Sequence, residues 1–129
     1  MNICKVKVNL VDGHASTDQH GKVTLDQDNG LEIKIGKGFK HHARVSAMTL
    51  YRWEENRRKG QGEKIGAWER SNPHSQPSPA LYITYGKHHI GVTDVDPADD
   101  ARFCYTVTVS DKKGDHTTPD PELIVKKRN

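Results

Sequence analysis

The fold of this chain is decided by the stretch Phe103-Cys104-Tyr105-Thr106-Val107-Thr108-Val109, in which apolar and more polar side chains alternate. Alternation at every second position is typical of a strand that buries one of its faces. A turn follows at Ser110-Asp111-Lys112-Lys113-Gly114, and then a second β-rich run, Leu123-Ile124-Val125. Two such runs joined through a turn predict an antiparallel sheet.

Length, charge and cysteine content bound the class of protein. The 129 residues are typical of one domain, and we predict a single domain over residues 1–129. The formal net charge of +3 is too small to imply a nucleic-acid or membrane partner by itself. No stretch approaches the ~20 apolar residues of a membrane span and no signal-peptide core is present, which predicts a cytoplasmic protein. Cys4 and Cys104 are the only cysteines, and whether they pair stays open at this point.

Further strands are indicated along the chain. Residues 3–11 alternate an apolar face with a lysine-bearing face, and residues 31–35 alternate in the same way. Asn29-Gly30, directly before the second of these segments, is a strong turn signal. The remaining predicted strands are residues 22–26, 81–85 and 88–92.

The segment 46–59 is compatible with two structures. The run Thr49-Leu50-Tyr51-Arg52-Trp53 is rich in strand-forming residues. Ser46 could instead cap a short helix that is supported by opposite charges four residues apart and ended by Gly60. The strand-rich surroundings favour the strand, and the short helix is the alternative.

Three segments are predicted to be loops. Residues 36–45 connect two strand candidates, and residues 56–66 are charged and contain glycine, with a short strand following at Ala67-Trp68-Glu69. Residues 71–79 contain three prolines. Because proline lacks a backbone donor, this last segment cannot complete a sheet ladder and is expected at the surface.

Short strands separated by turn residues predict a β-sandwich or barrel. Trp53 on a mid-chain strand, Asp96 in the corner segment 94–100 and Tyr105 on a long strand resemble the immunoglobulin-like layout. In that layout a tryptophan fills the core and a tyrosine corner precedes the penultimate strand. The ending, residues 118–125, resembles the last strand of small stand-alone bacterial sandwich domains. The resemblance implies an all-β, antiparallel, immunoglobulin-like β-sandwich of about seven to nine strands, and it implies no activity.

The eight histidines include two adjacent pairs, which suggest a metal site as an alternative function. Imidazole is the commonest transition-metal ligand, so one histidine from each pair could share an ion. Adjacent strand residues point to opposite faces, however, so each pair could offer only one ligand, and exposed histidines are the favoured interpretation. The candidate ligands are His41, His42, His88 and His89.

Other cofactor sites find no support in the sequence. Cys104 is followed by no methionine, which argues against a blue-copper centre. The acidic corner that begins at Asp94 departs from a calcium-binding EF-hand loop, because Asp99 stands where glycine is required. We therefore predict no cofactor.

A basic segment suggests a second alternative, weak nucleic-acid binding. Its cations could contact phosphates, and a neighbouring tryptophan could stack on bases. Interleaved glutamates lower the local field, which favours a solvated mixed-charge loop, and both tryptophans are expected in the core. The candidate binding residues are Arg57, Arg58, Lys59, Lys64 and Trp68, with His74 in the proline-containing loop.

No catalytic motif is present in the sequence. It contains no G-x-S-x-G elbow, no phosphate-cradling glycine motif and no H-E-x-x-H pair. We therefore predict a non-enzymatic binding module. Rigid sandwiches usually place recognition on their loops, so loops 36–45, 56–66 and 71–80 are expected to contact a partner, which we expect to be a protein.

Overall fold

A computed structural model of the chain describes residues 3–18, 23–26, 30–54, 61–69, 81–82, 90–92, 101–119 and 121–126. Within these ranges the assigned elements are all strands, and the predicted all-β class is confirmed. None of the described residues belongs to a helix of the length and apolarity that a membrane crossing needs. The eleven strands of the described ranges are β1 Ile3–Val11, β2 His14–Thr17, β3 Val23–Asp26, β4 Gly30–Ile35, β5 Arg44–Trp53, β6 Gln61–Glu69, β7 Leu81–Tyr82, β8 Ile90–Val92, β9 Ala101–Asp111, β10 Gly114–Thr117 and β11 Glu122–Lys126.

The strands form two sheets, which confirms the predicted sandwich. The first sheet has the order β2-β1-β4-β8-β7, and the second has the order β3-β11-β9-β5-β6, with β10 pairing β9 beside it. We letter eight strands in chain order, with β1 as A, β4 as B, β5 as C, β6 as C′, β7 as D, β8 as E, β9 as F and β11 as G. The two sheets then have the A-B-E-D and G-F-C-C′ orders of immunoglobulin-like sandwiches. The strand order therefore places the chain in that architecture.

The sequence predicted antiparallel sheets, but two of the strand pairs are parallel. β1 runs parallel to β4, from Ile3 opposite Gly30 to Val8 opposite Ile35, and β3 runs parallel to β11. The other paired strands are antiparallel. Side-chain alternation has the same period whichever way a neighbouring strand runs, so the sequence pattern could not distinguish the two orientations.

One hydrophobic cluster contains residues from both sheets. Along β1 and β9 every second side chain belongs to it, whereas Lys5 and Lys7 on the opposite face of β1 are exposed, as their alternation predicted. The largest fully buried side chains are Tyr105, Leu31, Ile33, Met48, Leu50, Leu123, Val8, Val107 and Val109.

β5 resolves the ambiguity of the segment 46–59 in favour of the strand over its described part. It lies between β9 and β6 in the second sheet, and its register against β9 runs from Arg44 opposite Ser110 to Arg52 opposite Phe103. Met48 and Leu50 are buried in the core at alternate positions. A helix would break this central pairing, and the helical alternative over residues 46–53 is wrong.

The predicted loop 56–66 is wrong over its second half. Residues 61–66 belong to β6, which pairs antiparallel with β5, from Ala47 opposite Glu69 to Trp53 opposite Gln61. Two register shifts interrupt the pairing, one between Leu50 and Tyr51 and one between Tyr51 and Trp53. Residues 55–60 lie outside the described ranges.

Trp53 does not fill the core as the resemblance implied. It is half-buried on the outer face of the second sheet, where the guanidinium carbon of Arg102 lies 3.9 Å from the ring centroid. Arg102 in turn pairs with Glu122 at 2.7 Å. The centre of the core is occupied instead by Tyr105, which is 0% exposed and whose pKa is raised, chiefly by burial.

No disulfide joins the two cysteines. Cys4 packs against the core cluster. Cys104 is fully buried but lies between the core residues Phe103 and Tyr105 in sequence, so alternation places it on the outer face of the second sheet. Cys4 therefore faces the core from the first sheet, whereas Cys104 lies on the far side of the second sheet. This placement explains why the two cysteines do not pair.

Two hairpins extend the sheets at one end of the sandwich. The β1–β2 turn consists of Asp12 (φ 51°) and Gly13 (φ 78°), and two positive φ angles are what the favoured two-residue hairpin turn requires. After β10, the Thr118 N–H donates to the Val107 carbonyl (2.9 Å), and the Thr118 Oγ1 accepts from the Val107 N–H (3.0 Å). Thr118 therefore keeps β9 paired where the chain leaves β10.

Candidate functional site

Two connections lie side by side at one end of the sandwich. One is the loop between β4 and β5, residues 36–43, and the other is the turn between β9 and β10, residues 112–113. We call residues 36–44 and 110–113 together the loop end. This surface includes most of the predicted loop 36–45, with Arg44 already in β5.

β1 fixes the first half of the β4–β5 loop. The Gly36 N–H donates to the Val8 carbonyl (2.7 Å), and the Leu10 N–H donates to the Lys37 carbonyl (2.8 Å). Gly38 has a φ of +94°, and a Cβ there would lie 2.0 Å from the Leu10 carbonyl oxygen. The backbone of this half of the loop is therefore held against β1, and Gly38 allows the close approach.

Asp111 fixes the second half of the loop to the β9–β10 turn. Its carboxylate accepts the Lys40 N–H (2.9 Å) and the Lys113 N–H (2.9 Å), and it lies 3.1 Å from Nε2 of His116. The Lys40 hydrogen bond is the largest cause that lowers the pKa of Asp111 to about 2, against an opposing effect of burial, and Lys113 and His116 lower it further. Its side chain has no exposed surface, although the residue as a whole is half-buried. The ionised Asp111 carboxylate therefore links the β4–β5 loop to the β9–β10 turn.

His116 and Phe39 support the loop end from the side of β10. Their rings meet edge to face, with centroids 5.8 Å apart. The Ser110 hydroxyl donates to the Asp115 carboxylate and lies 2.7 Å from the Ser46 hydroxyl oxygen, which links the turn to β5. A second cleft of about 580 Å³ lies beside this support, between β2 and β10, and is lined by hydroxyl and imidazole groups that include His14, Ser16 and Thr117.

The exposed side of the loop end forms a cleft of about 680 Å³. Loop, strand and turn each contribute to it, and the side chains that border it are mostly cationic or imidazole. His41 and His42 form one wall, with ring centroids 6.4 Å apart. The lining residues are His41, His42, Arg44, Ser110, Asp111 and Lys112. Arg44 and Lys112 can attract an anionic group at this cleft, while the Asp111 carboxylate is engaged by two backbone N–H groups and by His116.

The binding residues predicted from the basic segment are not brought together by the described structure. Lys64 lies on β6, exposed, and its backbone is opposite Tyr51 of β5. The backbone of Trp68 lies on β6 opposite Met48. The others lie outside the described residues: Arg57, Arg58, Lys59 and His74.

The predicted metal ligands are divided in the same way. His41 and His42 are exposed on the β4–β5 loop, whereas His88 and His89 lie outside the described residues. Among the residues whose placement is described, no group of three or more histidine, cysteine or acidic side chains could hold a metal ion.

The sequence reasoning missed the residue that organises this surface. Asp111 was noted only as part of a turn, and β10 was not predicted. One local signal was available, because an aspartate at the start of a turn commonly accepts a backbone N–H two residues later, as Asp111 does from Lys113. The bond from Lys40 spans 71 residues, and no local pattern indicates it.

The chain is similar to a solved structure of low sequence identity. No protein-family model and no curated protein sequence matches the chain. A solved structure described as a marsupial T cell receptor is similar to it with a TM-score of 0.43 and 15% sequence identity, covering 96% of this chain and 52% of that chain. The chain thus spans about half the length of that receptor chain. Its immunoglobulin-like assignment rests on its own strand order.

Proposed function

We propose that this chain is a non-enzymatic binding module that contacts a protein partner through the loop end. The observation that carries the proposal is the set of hydrogen bonds accepted by Asp111, which joins the β4–β5 loop to the β9–β10 turn. Two connections that are already fixed lose little conformational entropy when a partner binds. A preorganised surface of this kind is a general feature of recognition sites on rigid sandwiches.

The distribution of exposure at the loop end supports the same function. The backbone is held by β1 and by Asp111, whereas the side chains of Lys37, Lys40 and Lys112 are exposed. The scaffold therefore positions the Cα atoms, and the side chains remain accessible to a partner.

The state of Asp111 argues against catalysis at this surface. A general base works best with a pKa near the operating pH, because it must both accept and release the proton. Hydrogen bonds, the Lys40 N–H first, lower the pKa of Asp111 to about 2, so its carboxylate is a weak base near neutrality. Its role is to hold the loop.

Site-specific photo-crosslinking in an extract of the native host tests the proposal. A crosslinking amino acid at Lys40 or at Lys112 should capture one protein partner. Matched positions at Lys5 and Lys34, which are exposed on the outer face of the first sheet, should capture none. Equal capture from both pairs of positions, or capture from the control pair alone, would contradict this function.

We also propose that residues 1–129 form one domain that works in a cytoplasmic compartment. One hydrophobic cluster drawn from both sheets supports the single domain. Fractionation of native-host cells, with an antibody against the chain, checks the compartment. Recovery of the chain outside the cytoplasmic fraction would contradict this part of the proposal.

A further inference from the structure

The positive charge of this chain is concentrated at the loop end. Residues 36–44 and 110–113 contain five lysines and arginines (Lys37, Lys40, Arg44, Lys112 and Lys113) and one acidic residue, Asp111. A second carboxylate, that of Asp115, accepts the Ser110 hydroxyl at the edge of this surface. The whole chain has a formal net charge of only +3. A localised excess on one surface attracts anionic partners more effectively than the net charge suggests.

The cations that border the cleft are available to a ligand. Asp111 is occupied by its backbone donors and by His116. No direct ion pair engages Arg44 or Lys112 among the described residues, although the carboxylates of Asp111 and Asp115 lie nearby.

The cleft geometry suits a carboxylate. Arg44 lies opposite Ser110 in the register of β5 and β9, so its guanidinium projects beside the start of the β9–β10 turn, where Lys112 follows. Guanidinium groups bind carboxylates through two parallel hydrogen bonds, and a neighbouring ammonium adds attraction. The Ser110 hydroxyl already donates to Asp115, so the donors for a ligand come from the cationic and imidazole side chains.

The loop offers little surface for stacking on bases, which favours a peptide over a nucleic acid. A single-stranded nucleic acid binds best where aromatic rings can stack on its bases. Phe39, the aromatic residue of the loop, is half-buried against His116.

We propose that the cleft bordered by Arg44, Lys112, His41 and His42 binds a glutamate or aspartate side chain of an acidic peptide segment. This inference rests on the proposed function, because it names the chemistry of the partner that the loop end contacts.

Fluorescence anisotropy with purified full-length protein tests the inference. The probe is a labelled peptide rich in glutamate with interspersed leucine, and the comparison ligands are the same peptide with glutamine in place of glutamate and a single-stranded DNA of equal charge. The acidic peptide should bind most tightly, and its affinity should fall as salt is raised. The Arg44→Gln/Lys112→Gln double variant should weaken peptide binding by about tenfold, whereas Lys5→Gln/Lys34→Gln, with the same charge change on the first sheet, should leave it nearly unchanged.

Several outcomes would overturn the inference. They are equal losses in the two double variants, tighter binding of the DNA, equal binding of the glutamine peptide, and no peptide binding at low salt. The thermal midpoints of both variants are measured first, so that a loss of fold is not mistaken for a loss of binding. Crosslinking from the loop end together with a failed peptide assay would refute this inference and leave the proposed function standing, whereas failure of the crosslinking assay refutes the proposed function itself.

Discussion

Replacing Thr118 by valine should destabilise the fold by removing one acceptor. Thr118 is 3% exposed, and its Oγ1 accepts the Val107 N–H at 3.0 Å, in the place where a backbone carbonyl would stand in a regular ladder. Val107 is 0% exposed, so its N–H has no access to water. Valine has nearly the shape of threonine and therefore removes the hydrogen bond without creating a large cavity.

The expected cost follows from leaving one buried donor without a partner. Such a group costs roughly 1–3 kcal/mol, so we expect a loss of about 2 kcal/mol in the free energy of unfolding. For a chain of this length that corresponds to a fall of about 8 °C in the thermal midpoint. Thr118→Ser is the matched control, because it retains the acceptor and loses one methyl group, at a cost of about 1 kcal/mol.

Chemical denaturation gives the two free energies, and amide hydrogen exchange locates the effect. The Val107 amide should exchange faster in Thr118→Val and remain protected in Thr118→Ser. The Tyr105 N–H donates to the Pro121 carbonyl (3.0 Å) and serves as an internal reference within the same hairpin. A cost below about 0.5 kcal/mol with unchanged exchange at Val107 would refute the reasoning, since it would mean that the N–H finds another partner.

Three further predictions concern the loop end and the outer sheet face. Gly38→Ala should cost about 3 kcal/mol in the free energy of unfolding and weaken crosslinking from the loop, because it combines a positive φ with a clash against the backbone of β1. Gly13→Ala is the control: its φ is also positive but the space around it is open, so it should cost only about 1 kcal/mol. In the parent, the free energy of unfolding should fall between about pH 4 and 2, because the Asp111 carboxylate, whose pKa is lowered to about 2 in the folded state, stabilises the protein only while it is ionised. Asp111→Asn should make this fall smaller. Identical acid denaturation of variant and parent would contradict this. Arg102→Gln should cost about 1 kcal/mol, since it removes the cation both from the ring of Trp53 and from its pair with Glu122. Denaturation curves that coincide with those of the parent would exclude a contribution from these two contacts.

Much of the strand content could be predicted from local pattern. The alternation of residues 3–11 and 103–109 marks which face of each strand is buried, and β1 and β9 contain these segments with that face in the core. β2 also had a local signal in Asp12-Gly13, a dipeptide favoured in tight hairpin turns. Such signals need only neighbouring residues, because backbone geometry alternates side chains regardless of what lies across the sheet.

The error over Trp53 shows where local pattern becomes insufficient. A large aromatic residue on a strand suggests the core, yet Trp53 lies in β5 on the side opposite Met48 and Leu50. Which side of β5 faces the other sheet is set by its pairing with β9 and by the register shift between Val45 and Ala47. A shift of one residue exchanges the two faces, so composition cannot identify the buried one.

The amino-acid sequence by itself determined that extended segments would bury alternate side chains, and that a loop would follow the strand at residues 31–35. Only the tertiary structure decided the parallel pairing of β1 with β4 and the meeting of the β4–β5 loop with the β9–β10 turn. The physical reason is distance along the chain: the hydrogen bond from Lys40 to Asp111 joins residues 71 positions apart. Contacts of that separation form when two sheets pack, and no short-range preference encodes them.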